Sequence, residues 1–206
     1  MNFAKRERAE LCDLFVEVGP DAPTLNKGWT THDLAAHLWV RENDPLALPG
    51  IGISAFSGLT DQRMDRAKRK FSYRELVRRL RNPNIVARNL DPVNMVEYFI
   101  HHEDVLRATT LKPVRTLPIS DEDALWRPLS GMAIQLKFKA RTGLVLERSD
   151  DPGSMIRVKS GSQTVTVLAP PSELALWLSG RGQAAVVEFI GTPDAVATLD
   201  DLDLGL

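Results

Sequence analysis

Glu97 and His101 stand four residues apart, so a helix through them sets a carboxylate and an imidazole one turn apart on the same face. A third donor, His37, lies in an earlier helical segment, on a face shared with Leu34, Leu38 and Arg41. Two imidazoles and one carboxylate from neighbouring helices suit Zn²⁺, with a fourth position left for water or a ligand. The same set holds Ni²⁺ or Fe²⁺ in an open geometry, so the spacing leaves the metal undetermined. A Glu-x-x-x-His pair alone is ordinary on a solvent-facing helix, and a lone histidine on an apolar face is ordinarily a hydrogen-bonded core residue. The joint placement strengthens the metal reading but leaves the structural one open beside it. Three ionisable groups on inward faces are costly to bury unless a metal or partner offsets them.

The elements that must position these groups are legible in outline. Leu11, Leu14, Phe15 and Val18 keep helical spacing, which predicts a helix from Phe3 to Val18 stopped by Gly19-Pro20. A second helix starts at Thr30 or Thr31, where Thr30-x-x-Asp33 reads as a capping box, and runs to about Asn43 before Pro45. The apolar stretch from Leu46 to Gly58 reads as a packed loop. A basic helix follows over Thr60–Lys70, and Ser72-x-x-Glu75 caps the next. Asp91-Pro92 opens the helix that carries Glu97, His101, His102 and Asp104, with His102 turned about 100° from His101. Ser120-x-x-Asp123 caps a further helix to about residue 138, in which Pro128 predicts a kink or a late start.

Near residue 140 the periodicity changes. Strands are expected at Leu144–Arg148, Ile156–Lys159, Thr164–Leu168 and Ala185–Ile190, and helices at Ser172–Leu178 and Pro193–Leu199. Ser160-Gly161-Ser162 reads as a hairpin turn. The fold class expected is therefore α+β, with a helical bundle over residues 1–138 and a small α+β domain over residues 139–206.

The 206 residues carry a net charge of −1, which argues against bulk nucleic-acid binding. No apolar run approaches the roughly 20 residues that span a bilayer, so no membrane partner is expected. The first residues lack the apolar core of a signal peptide, and the one cysteine, Cys12, has no internal partner; a cytoplasmic protein is the default. The basic run Arg66, Lys68, Arg69, Lys70, Arg74, Arg78, Arg79 and Arg81 reads first as a solvated helix face. A sharper reading makes it an anion site.

Gly28-Trp29-Thr30-Thr31-His32-Asp33-Leu34-Ala35-Ala36-His37-Leu38 resembles the Gly-Trp-x-x-x-Asp-Leu-x-x-His-Leu motif of mycothiol-dependent maleylpyruvate isomerase N-terminal domains, of the DinB/YfiT-like superfamily. Glu97 to Asp104 resembles that family's Glu-x-x-x-His-x-x-Asp motif. The resemblance covers about two-thirds of the chain and implies a four-helix bundle whose metal ligands are His37, Glu97 and His101. It implies zinc as cofactor and mycothiol, an actinobacterial thiol, as cosubstrate, with the metal lowering the thiol's pKa for isomerisation or S-transfer. The segment Leu174–Arg181 and Phe189-Ile190-Gly191 resemble a sterol-carrier-like C-terminal domain, in which Arg181 would be the catalytic arginine. Arg181 also fits the residue after a glycine helix stop. Asp104 is placed either to orient a ligand imidazole or to form an ordinary ion pair with Arg107 or Arg41. His32 and His102 read as outer or surface residues. The partners implied are a small thiol or small organic acid, and a homodimer is one further expectation because this superfamily often dimerises. The other reading is a non-catalytic metal- or apolar-ligand-binding protein.

Overall fold

The computed structural model describes residues 2–44, 57–84, 91–108, 114–200, 202 and 204. The chain is α+β and divides into two compact units, Met1–Val114 and Arg115–Gly205. Among the described residues no helix is long and apolar enough to cross a membrane.

The first unit is helical. It contains α1 (Phe3–Val18), α2 (Thr31–Asn43), α3 (Ser57–Lys70), α4 (Tyr73–Arg81) and α5 (Asp91–Ala108). Helix α1 packs on α4 and α5, and α2 packs on α3 and α4. The predicted start of α2 is present in full. Thr30 Oγ1 accepts from Asp33 N–H, and Asp33 Oδ2 accepts from Thr30 N–H at 2.9 Å. Leu11, Phe15, Leu34, Leu38, Leu76, Leu80 and Tyr98 fill the core. Trp29 and Trp39 pack against that core, as bundle packing requires. Cys12 is buried among the same side chains, and loss of hydration pushes its thiol pKa up to about 12. The expected loop over residues 46–58 falls mostly outside the described residues, although α3 already starts at Ser57.

One charged cluster crosses this core. Arg8 on α1 forms a bidentate pair with Glu42 of α2, at 2.5 and 2.9 Å, and also donates to Leu80 O at 3.1 Å. Tyr98 donates its hydroxyl to the same carboxylate, and Arg8 stacks over the Tyr98 ring at 4.3 Å. A buried guanidinium is tolerable when its charge is matched in this bidentate fashion.

The second unit opens with α6 (Ile119–Met132), a 3₁₀ turn (Ala133–Gln135) and the short α7 (Leu136–Lys139). A four-stranded sheet follows, built from β1 (Gly143–Arg148), β2 (Met155–Lys159), β3 (Thr164–Ala169) and β4 (Glu188–Ile190), with α8 (Pro171–Leu178) between β3 and β4 and α9 (Pro193–Asp200) at the end. The spatial order is β2-β1-β3-β4; β1 and β3 are parallel, and both outer pairs are antiparallel.

Three expectations change here. The division falls at Val114/Arg115 rather than at residue 138, so α6 belongs with the sheet. Its polar side chains explain why. Glu122 accepts from both N–H and Oγ of Ser172 at 2.8 Å, closing the start of α8, and Asp123 accepts from Arg148 of β1 at 2.6 Å. Ser160-Gly161-Ser162 is not a hairpin turn, because β2 and β3 lie on opposite sides of β1. That loop instead passes close beneath Gly143, whose N–H donates to Gln163 O at 2.8 Å. The last strand starts at Glu188, not Ala185. The N–H groups of Ala184 and Ala185 are taken by Arg181 O, and Val186 N–H donates to the Glu173 carboxylate at 2.7 Å, so these residues cannot join the ladder. Pro128 is accommodated inside α6, which gives way to the 3₁₀ turn only after Met132.

Candidate metal centre

His37, Glu97 and His101 come together in the helical unit. One ligand atom from each lies within 4.8 Å of the others. His37 projects from α2, where Leu34, Ala35 and Leu38 bury the adjacent positions, and Glu97 and His101 project from successive turns of α5. His101 Nε2 and Glu97 Oε2 are 3.5 Å apart. A tetrahedral zinc with bonds of about 2.1 Å separates its ligand atoms by about 3.4 Å, so this edge of the site already has the required length. The His37 and His101 rings meet edge to face, with centroids 5.1 Å apart.

His101 is oriented by what lies behind it. Its Nδ1 is 2.8 Å from Asp104 Oδ2, and Asp104 is fully buried. A carboxylate can only accept, so Nδ1 carries the proton and Nε2 is the atom turned toward Glu97. Asp104 is itself held by the α1–α2 loop. Asn26 Nδ2 donates to its Oδ2 at 3.3 Å, and Leu25 N–H donates to its backbone carbonyl at 3.1 Å. The same loop brings Trp29 against the His37 ring, centroids 5.1 Å apart. Asp104 makes the hydrogen bond that the orienting role requires, and Arg107 pairs with Glu103 at 2.6 Å.

The electrostatics at the site favour positive charge beside Glu97 and Asp104. Burial disfavours the charged form of Glu97, but the hydrogen bond from His101 and the charge of Arg41 outweigh it and pull its pKa down to about 2. Burial likewise disfavours protonated His101, and hydrogen bonds to Asp104 and Glu97 overcome that and raise its pKa. Arg41 reaches Glu97 Oε1 with Nη2 at 3.5 Å, on the side of the carboxylate away from His101. Glu97 and Arg41 are partly exposed, 24% and 13% at the side chain, against 6% for His101.

Other residues singled out in the sequence lie elsewhere. His102, read as outer or surface, is buried on another face of α5, with Nδ1 2.9 Å from Glu7 of α1. Glu7, Glu10 and His102 make a second group whose ligand atoms could hold a cation. Spacing on α1 could have flagged Glu7 and Glu10, but nothing in the sequence pairs them with His102. His32 is half-buried against Tyr73, ring centroids 5.6 Å apart. Arg181 belongs to the sheet unit. Its N–H donates to Leu176 O and that of Gly180 to Trp177 O, with Gly180 at φ 81°, which together terminate α8; its guanidinium donates to Ser179 O. Of the basic run, Lys68 pairs with Asp33 and Asp65, Arg79 with Glu75 and Arg81 with Asp13, while Arg66, Arg69, Lys70 and Arg74 are exposed, as on a solvated face.

Comparisons with protein-family models, with curated proteins and with solved structures found no match for this chain.

Proposed function

We propose that this chain is a divalent-metal protein of the mycothiol-dependent isomerase or S-transferase type, with His37, Glu97 and His101 as ligands and zinc as the metal. The observation that carries the reading is the buried Asp104–His101 pair, which leaves Nε2 facing Glu97 beside His37. A carboxylate behind a metal-binding imidazole fixes its tautomer and raises its basicity. Three protein donors suit a catalytic zinc with one open position, and such a metal supplies Lewis acidity that converts a bound thiol to thiolate at neutral pH. The protein has no thiol suited to that task, because Cys12 is buried with its pKa raised to about 12. The nucleophile therefore comes from a small cosubstrate, mycothiol in the relatives that the two sequence motifs resemble. The Trp29 ring against His37 and the His101–Asp104 bond hold the imidazoles in place.

The test is metal content by mass spectrometry after purification without chelator, for the wild type beside His37→Ala and Glu97→Ala. About one equivalent of a divalent metal is expected in the wild type, with loss in both variants. No metal after reconstitution with Zn²⁺, Ni²⁺ or Fe²⁺ would overturn the proposal. Turnover with mycothiol is then assayed on maleylpyruvate and on S-transfer acceptors, since a site of this kind does not fix its reaction.

A further inference from the structure

Between α1 and α2 the chain makes one tight turn whose two ends reach the two histidines of the triad. Trp29 N–H donates to Asn26 O at 3.0 Å, closing Asn26-Lys27-Gly28-Trp29 into a β-turn. The chain on either side is tied down. Pro23 and Thr30 form an antiparallel bridge, Thr31 N–H donates to Ala22 O at 3.0 Å, and the Thr24 hydroxyl lies 3.1 Å from Trp29 O. At one end of the turn Asn26 Nδ2 donates to Asp104 Oδ2, the oxygen that also accepts from His101 Nδ1. At the other end the Trp29 ring lies against the ring of His37.

This bridging matters because the two imidazoles stand on helices with other main partners. Helix α2, which carries His37, packs on α3 and α4, and α5, which carries His101, packs on α1. Side chains tie α2 to α5 near the end of α2, where Arg41 Nε donates to Asn94 Oδ1 at 3.3 Å and Tyr98 donates to Glu42. The turn over residues 26–29 supplies the corresponding tie at the start of α2. A metal fixes the separation of its ligand atoms to within a few tenths of an ångström, so both ties bear on it.

The shape of the turn depends on Gly28. It is the third residue, with φ 82°, in the left-handed region that glycine enters freely, that asparagine tolerates and that β-branched residues avoid. A Cβ at this position would meet nothing within 4 Å. A substitution there acts through the backbone alone.

We propose that the turn over residues 26–29 sets the spacing and orientation of the His37 and His101 imidazoles, with Asn26 and Trp29 as positioning residues and Gly28 holding the turn in shape. The inference rests on the metal reading above and extends it to a residue that touches no ligand.

The experiment titrates the metal-free full chain with Co²⁺, whose visible absorption bands report both affinity and ligand geometry. The wild type stands beside Asn26→Ala, Gly28→Val and Gly28→Asn, and the melting midpoint of each metal-free protein is recorded. Asn26→Ala and Gly28→Val are expected to lose about tenfold in affinity, the lower end of what a lost outer partner costs a metal site, with displaced bands. Gly28→Asn is expected to stay within about threefold of the wild type with its bands in place, because asparagine keeps the turn. Wild-type affinity and bands in Asn26→Ala or in Gly28→Val would overturn the proposal, even with a lowered melting midpoint, since the turn would then be merely structural. Equal losses in Gly28→Asn and Gly28→Val would overturn it as well. If Gly28→Val does not fold, Asn26→Ala decides, because it leaves the backbone of the turn unchanged. If the wild type takes up no Co²⁺, the metal reading fails and this inference falls with it.

Discussion

At the residue scale the proposed metal site sets a proton and a metal in competition for His101 Nε2. Without metal, the raised His101 pKa makes a contribution to stability that is complete below about pH 6.5 and is lost as pH rises through its folded value. The lowered Glu97 pKa makes one that is present above about pH 4.5 and is lost as pH falls toward about 2. Both act together between those limits, where the imidazolium sits in a cage of carboxylates. On the proposed ligation, zinc would have to displace that proton. The rise in melting temperature on adding zinc is therefore expected to be small near pH 5.5 and to grow toward pH 8, measured by thermal melts at fixed excess metal. Equal shifts at both pH values would show that His101 is not a ligand. The sequence displays the three donors through their helical spacing. It could not display Arg41 and Asn94 as a pair, because that bond joins α2 to α5 and depends on their packing.

At the element scale, what can be read locally is what the sequence reveals. The start of α2 rests on Thr30 and Asp33, three residues apart, and was legible for that reason. The assignment of α6 rests on contacts between residues far apart in the chain, Glu122 with Ser172 and Asp123 with Arg148, and helical periodicity carries no trace of them. The sheet order was hidden for the same reason. Successive strands β2 and β3 are not neighbours, and their connection depends on the absence of a side chain at Gly143. A Cβ there would lie 2.9 Å from Gly161 N and 3.0 Å from Gln163 O. Both neighbours are backbone, so neither can swing aside. Gly143→Ala is expected to destabilise the sheet unit by about 1–3 kcal/mol, the usual cost of forcing extra volume into a packed site, read as a lower midpoint in a denaturant titration. An unchanged midpoint would mean the loop moves away without cost.

At the scale of the whole molecule, the chain places His37, Glu97 and His101 in the helical unit and its sheet in the other. The charge is nearly balanced overall, yet basic residues gather on α3 and α4, where Lys68 and Arg81 pair with carboxylates of neighbouring helices and Arg79 with Glu75 of its own helix. The helical unit also contains the chain's single sulfhydryl, and its seclusion makes it a clock. Cys12 is 1% exposed, so an alkylating reagent reaches it only when the core around α1 opens. Its rate of modification by iodoacetamide then measures that opening under native conditions, without denaturant or heat. Saturating zinc is expected to slow labelling of the wild type and to leave the rate in His37→Ala unchanged, as followed by intact-mass spectrometry. Equal slowing in both proteins would place the stabilising ion somewhere other than the triad. One sealed sulfur atom thus lets a chemist count how often the bundle breathes.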